Sequence, residues 1–264
     1  MNESATKQIR IIHDDIVSTG KIHPASIDLI VTSPPYNLGI AYNSYDDHLP
    51  HTDYLRFSER WLRKCYDLTK ETGRLCLNVP MDNYRGGRLT LAPDLIHIAT
   101  SVGWSYHTTI YWIKDKTFRA KGSWRSAFAP CVLAPVELIV VFCKKGWKKT
   151  SGTRKSDLTE SEFVEWTHGV WRLGYERDNQ ENVWIDHPCR FPRELPRRCI
   201  KLFSYVGDIV LDPFLGSGTT LLEARLNNRM AIGMDIDEKY CQLAYRRCLS
   251  LRKSDGIFPS VVLE

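Results

Sequence analysis

Short apolar runs separated by amphipathic stretches constrain this chain most. "IDLIV" (27–31) and "VELIVVFCK" (136–144) are nearly continuous apolar segments too short for helices, the pattern of strands buried on both faces. Between Asp53 and Thr69 apolar residues recur at Tyr54, Phe57, Trp61, Leu62, Cys65 and Leu68, one face of a helix. The same reading predicts strands over 9–15, 73–80 and 105–113 and a helix over 91–102. A further helix begins near Pro196, followed by strand, glycine turn, helix, strand, acid and helix between Gly207 and Ser250. Strands alternating with helices predict an α/β fold: a doubly wound, mostly parallel sheet with helices on both faces. Residues 145–185 show little periodicity and are the candidate inserted segment, which divides the chain into 1–144, 145–185 and 186–264.

Two strand ends carry unusual chemistry. The first run stops at "TSPPYN" (32–37), where two adjacent prolines fix φ and offer no backbone donor. The second, "VLDPFLGSGTT" (210–220), places Gly216 and Gly218 where a strand turns into a helix, allowing a tight turn and close approach of a ligand to the backbone. A triphosphate-binding loop needs a lysine after its last glycine; Thr219 stands there, and Asp212 ahead of the turn would repel phosphate. A dinucleotide fingerprint needs three glycines, and "GSGTTL" has two. Further on, "AIGMDID" ends a strand with Asp235, where an acid hydrogen-bonds ribose hydroxyls. The pocket so described takes a ligand with a ribose, no phosphate and a positive charge near Asp212. S-adenosylmethionine has all three properties.

Composition excludes several classes. At 264 residues, 43% hydrophobic and 25% charged, the chain is long enough for a proper core and balanced like a soluble globular protein. No apolar stretch reaches the ~20 residues that span a bilayer, and the polar "MNESATKQIR" start does not resemble a signal peptide, so a cytoplasmic, nucleoid-associated location and no membrane partner are expected. The eight cysteines form no Cys-x-x-Cys pair and read as buried thiols. "HLPH" at His48 and His51 lacks further ligands, so no metal is expected.

The net charge of +5 is uneven: eleven Lys or Arg against Asp115 and Glu137 give +9 between Lys114 and Lys155, and the rest of the chain sums to −4. These cations alternate with Trp112, Phe118, Trp124, Phe128 and Trp147. Cations neutralise phosphates and flat rings stack on bases, so the stretch points to nucleic acid.

"TSPPYN" followed much later by "DPFLGSGTT" resembles the DNA amino-methyltransferases, in the order of their circularly permuted beta group, over about Ile11 to Arg247. The resemblance implies a Rossmann-like sheet, S-adenosyl-L-methionine as cofactor and double-stranded DNA as substrate. It places Ser33, Pro34, Pro35 and Tyr36 on the catalytic tetrapeptide. Asp212, Pro213, Phe214, Gly216, Ser217, Gly218 and Thr219 fall on the cofactor loop and Asp235 on the ribose acid. Asp15, in preference to Asp14, falls on the acid that meets the adenine amine, and Phe191, Pro192 and Leu195 on contacts to the methionine end. Cys189 and Arg190 depart from the family pattern locally. The family's need for a target-recognition region assigns that role to 145–185, with a second DNA-facing loop over 118–126. Lys121, Trp124, Arg125, Lys148, Lys149, Arg154, Lys155 and Arg172 are the candidate DNA contacts. A homodimer and a cognate restriction endonuclease are candidate partners.

The diproline corner suits an exocyclic amine, a poor nucleophile whose lone pair is delocalised into the ring. Fixed acceptors, the local carbonyls and Ser33 Oγ, can hold its N–H groups and turn the lone pair toward the methyl carbon. Tyr36 can stack on a base flipped out of the duplex. In the family, serine at the first position accompanies cytosine N4 methylation and aspartate accompanies adenine N6 methylation, which leaves adenine as the alternative. RNA or protein methyltransferases share the glycine turn, and a catalytically silent DNA-binding protein could share the fold, but the tetrapeptide and ribose acid are intact.

Overall fold

A computed structural model describes residues 8–83, 89–114, 121–122, 126–128, 130–131, 135–150, 152–174, 191–251 and 260–264, excepting the side chains of 83, 121–122 and 130–131. In chain order the elements are β1 (Gln8–His13), β2 (Ile27–Thr32), α1 (His51–Leu68), β3 (Thr69–Pro80), β4 (Asp82–Asn83), β5 (Leu89–Thr90), α2 (Ala92–Val102), β6 (Ser105–Lys114), β7 (Lys121–Gly122) and β8 (Pro130–Cys131). They continue with β9 (Val136–Cys143), α3 (Glu160–Trp166), β10 (Val170–Leu173), α4 (Glu194–Phe203), β11 (Ile209–Asp212), α5 (Thr219–Leu226), β12 (Met230–Asp235), α6 (Glu238–Ser250) and β13 (Ser260–Leu263).

Nine strands form one sheet in the order β10-β6-β9-β3-β2-β11-β12-β1-β13, while β4–β5 and β7–β8 are separate ribbons. All neighbours in the large sheet are parallel except β9, which runs against both β3 and β6. The sheet is therefore mixed. An apolar run carries no sign of its direction. The chain leaves β6 and re-enters β9 at one end of the sheet, and that return fixes β9 antiparallel.

Side chains alternate between two cores, as the strand period requires. Leu29 and Val31 face one core with Val210, Ile139 and Val141, under α3 to α6. Ile30 faces the other with Leu211, Val140 and Phe142, under α1 and α2. Helix α1 buries the predicted stripe Tyr54, Trp61, Leu62, Cys65 and Leu68, but Phe57 is only half-buried. Each fully buried large apolar side chain contributes about 1.5–3 kcal/mol. The helix stops where Thr69 turns extended and its Oγ1 donates to the Cys65 carbonyl.

The described part of 145–185 is more ordered than its weak periodicity predicts. Thr159 and Glu162 form a capping box that starts α3, a Thr-x-x-Glu signal legible in "TESE". Strand β10 pairs parallel with β6, so this part joins the main sheet. Trp166 and Trp171 both belong to the core. The described thiols Cys65, Cys76, Cys143, Cys199, Cys241 and Cys248 are buried. Among the described residues no helix is long and apolar enough to cross a membrane, and no side-chain group could hold a metal ion.

Candidate active site

The carboxyl ends of β2, β11 and β12 open into a cavity of about 520 Å³. Crevices at strand ends of this kind are where parallel sheets bind ligands. Beyond β2 the chain cannot continue as a strand, because Pro34 and Pro35 have no N–H for a ladder. All four residues of the Ser33–Tyr36 corner line the cavity. Ser33 Oγ and Tyr36 Oη lie 2.6 Å apart, and the tyrosine hydroxyl also donates toward the Asn78 carbonyl at 3.1 Å and Glu137 Oε2 at 3.4 Å. Burial, then the Glu137 charge, hold the Tyr36 hydroxyl well above its ordinary pKa, so it is a proton carrier rather than an anion. The Pro35 carbonyl accepts from Tyr54 Oη at 3.0 Å, whereas no described residue donates to the Pro34 carbonyl. Next in the chain, buried Asp47 accepts the backbone N–H groups of Asn37, Leu38 and Ile40 and fixes the exit of the corner.

The glycine turn is built by two acids and a buried arginine. Asp212 Oδ1 accepts from Thr32 Oγ1 at 2.8 Å and from Phe214 N at 3.2 Å. Gly216 N donates to Asp235 Oδ2 at 2.8 Å, and Arg247 donates to the Ser217 carbonyl at 2.6 Å. Gly218 caps α5 with φ of 80°, and a Cβ there would sit 2.6 Å from Ala244 Cβ of α6. Burial pushes the Asp212 carboxyl up to about 7, despite hydrogen bonds from Thr220 and Thr32, and the Asp235 carboxyl up to about 6.

Of the expected cofactor contacts, Asp15, Phe191, Asp212, Pro213, Phe214, Gly216, Ser217, Thr219 and Asp235 line the cavity. Asp14 lines it too, but its carboxylate is held by Asp15 N and Thr19 Oγ1. Three expected contacts are not among the residues lining the cavity. Gly218 is turned toward α6, Pro192 is buried off the cavity, and Leu195 is 1% exposed in the hydrophobic core, on the inward face of α4.

Several cavity residues escaped the sequence reading. Lys114, ending β6, forms an ion pair with Glu137, the second residue of β9, across the mouth beside Tyr36. The signal was a single acid in an otherwise apolar strand. Tyr42, Ser44, Tyr45 and Phe57 form a wall, and Ser44 Oγ donates to Asp237 Oδ2 at 3.0 Å. No local pattern in the sequence marks that wall.

The basic stretch is not one face. Lys149 Nζ meets Asp208 at 2.7 Å with its side chain 2% exposed, and Arg154 meets Asp208 at 2.7 Å and Asp28 at 3.2 Å. Asp28 and Asp208 stand at the amino ends of β2 and β11, opposite the cavity. Lys149 and Arg154 thus belong to one ion cluster with Asp28 and Asp208, in which the Lys149 ammonium is buried and paired while the Arg154 guanidinium is paired but 35% exposed. Lys148 and Lys155 are exposed on this same far side, where the Lys155 carbonyl accepts from Val206 N. Exposed Arg172 lies on β10 beside Ile113, toward the cavity end. Trp112 is core, and Trp147 stacks on His107 with Arg74 over its ring. Trp124, Arg125 and the Lys121 side chain lie outside the described residues.

The residues present fit S-adenosylmethionine. Asp15, Asp212 and Asp235 are among the acids that line one cavity, acceptors that disfavour phosphate and suit hydroxyls and cations. The Tyr45 hydroxyl is buried without a described hydrogen-bond partner on the cavity wall, a polar atom a ligand can satisfy.

Comparison with known proteins agrees with this geometry. A family model for N6/N4-type methylases, described as DNA methylase, matches residues 27–246. The Type II methyltransferase M.MjaVI of Methanocaldococcus jannaschii is 46% identical over 184 residues, 69% of this chain and 93% of that protein. TTHA0409 of Thermus thermophilus, solved in complex with S-adenosyl-L-methionine, superposes with a TM-score of 0.71 at 27% identity, covering 96% of this chain and 98% of that one. The PvuII DNA methyltransferase, cytosine-N4-specific, shares the fold at a TM-score of 0.72 and 20% identity, covering 95% of this chain and 90% of that one.

Proposed function

This chain belongs to the N6/N4 DNA methylase family and uses S-adenosylmethionine, and from that premise we propose that it methylates the N4 amine of a cytosine flipped out of duplex DNA. When bound, the cofactor supplies an electrophilic methyl group on a sulfonium. Asp235 accepts from its ribose hydroxyls, Asp15 from its adenine amine, and Asp212 faces its positive charge. At the other end of the cavity, Ser33 Oγ and the Pro34 carbonyl accept the two N–H groups of the target amine. They orient its lone pair toward the methyl carbon, catalysis by placement and fixed dipoles. Tyr36 supplies a wall on which the base stacks. Extrusion of the base costs a few kcal/mol of unstacking.

The observation that supports this reading is the Ser33 hydroxyl on the cavity lining; in the family this sequence resembles, serine at that position usually accompanies cytosine and aspartate usually accompanies adenine. Digestion of treated, previously unmodified DNA to nucleosides, followed by mass spectrometry, tests it. N4-methylcytosine is the expected product, and N6-methyladenine overturns the cytosine assignment.

We assign target reading to the chain that follows β10, together with Arg172. β10 ends beside Lys114 at the cavity mouth, while 145–150 and 152–158 run on the far side. The 118–126 loop, with Lys121, Trp124 and Arg125, is the second candidate contact with DNA.

A further inference from the structure

We infer that Glu137 receives the proton that the target amine gives up, through a relay of the Ser33 and Tyr36 hydroxyls. The inference rests on amine methylation and holds for either base. Methyl transfer leaves the nitrogen with one hydrogen too many, and the cavity must take it. Pro34 and Pro35 offer only carbonyls, which hold a hydrogen bond but cannot keep a proton at neutral pH. Ser33 Oγ lies 2.6 Å from Tyr36 Oη, and Tyr36 Oη lies 3.4 Å from Glu137 Oε2. The other carboxylate oxygen, Oε1, meets Lys114 Nζ, so the acceptor oxygen is the one turned to the relay. Glu137 is 9% exposed, which keeps bulk water from competing for the proton. The groups facing it are Lys114 from β6, Tyr36 beyond β2 and Asn78 of β3, whose carbonyl holds the tyrosine hydroxyl at 3.1 Å. The 3.4 Å link is long, as catalytic hydrogen bonds are before substrate closes the site.

The step balances. As the N–CH3 bond forms and the S–CH3 bond breaks, the amine proton passes to Ser33 Oγ. The serine proton passes to Tyr36 Oη, and the tyrosine proton to Glu137 Oε2. The positive charge of the sulfonium and the negative charge of the carboxylate vanish together, while Lys114 keeps its own.

The test is single-turnover transfer of labelled methyl groups to amplified, unmodified bacterial DNA, with cofactor binding followed by calorimetry. Glu137→Gln keeps the shape of the side chain but cannot accept a proton. It is expected to slow transfer about 100-fold, the low end of what a positioned proton acceptor contributes. Tyr36→Phe cuts the relay in its middle and gives the same loss, and the double variant is no slower than either single one. The unmodified protein shows a normal solvent deuterium isotope effect with a curved proton inventory, a reading that needs no variant to fold. Wild-type rate in Glu137→Gln, multiplied losses in the double variant, or the absence of an isotope effect each overturns the relay. The cytosine assignment fails separately, by the nucleoside that accumulates.

Discussion

Thr32 Oγ1 donates to Asp212 Oδ1 across 2.8 Å, tying the tips of two adjacent strands, β2 and β11, whose residues are 180 positions apart in the chain. The bond joins the diproline corner to the glycine turn at one buried carboxylate. Thr32→Val removes the donor while keeping the volume. A loss of about 1–3 kcal/mol in unfolding free energy is expected, measured by urea denaturation, together with weaker cofactor binding.

The Asp212 carboxyl, pushed from its ordinary 3.8 up to about 7 by burial, makes cofactor affinity pH-dependent. Below about 7 the empty site holds a proton there, which a cationic ligand must expel. Affinity therefore rises with pH up to about 7 and levels above it, with proton release seen by calorimetry in buffers of different ionisation enthalpy. Asp212→Asn flattens the dependence. Folding carries the opposite sign. The folded state keeps a proton that the unfolded chain gives up, so this group's contribution to stability falls as pH rises from 3.8 to about 7.

Gly218→Ala meets both a left-handed backbone and Ala244, with nowhere for the new methyl group to go. A loss of about 2–4 kcal/mol in stability is expected, combining backbone strain and overpacking. Gly207→Ala, at φ of 85° but with open space around it, carries the strain alone and costs about 1 kcal/mol. Thermal denaturation of the two variants separates the effects.

Fold and chemistry were unequally legible in the sequence. Apolar period revealed the strands and α1, and the glycine turn and Asp235 stand at neighbouring strand ends that line one cavity. The direction of β9 was hidden, because buried strands of either sense carry the same residues. Leu195 is the second residue of an amphipathic helix, and its spacing places it equally near the cavity or in the core. Lys149 and Arg154 look like any surface cations until the fold brings Asp28 and Asp208 to them from two different strands. Charge partners far apart in the chain leave no local pattern.

Lys149→Met and Arg172→Ala separate structure from DNA contact. The first breaks a buried cluster and is expected to cost about 3–5 kcal/mol in stability, with no change in the salt dependence of DNA binding. The second leaves stability unchanged within about 0.5 kcal/mol. It lowers the slope of log affinity against log salt by about 1, in filter-binding titrations.

Ser33→Ala removes one acceptor from the target amine but no cofactor contact. Cofactor binding is expected to stay within about threefold, and methyl transfer to fall about 100-fold, in line with loss of one preorganised polar group at a transition state. Tyr36→Ala removes the ring as well and is slower still. Methyl transfer at the ordinary rate in either variant defeats the catalytic assignment.

Because β9 runs against its neighbours, it meets the cavity with its first residues rather than its last. Lys114 closes the strand before the 115–135 segment and Glu137 is the second residue of the strand after it, so the ion pair fastens these two strand ends together. A pull on either end is felt at the carboxylate beside Tyr36. One pair of side chains thus ties the end of β6 to the start of β9 beside Tyr36.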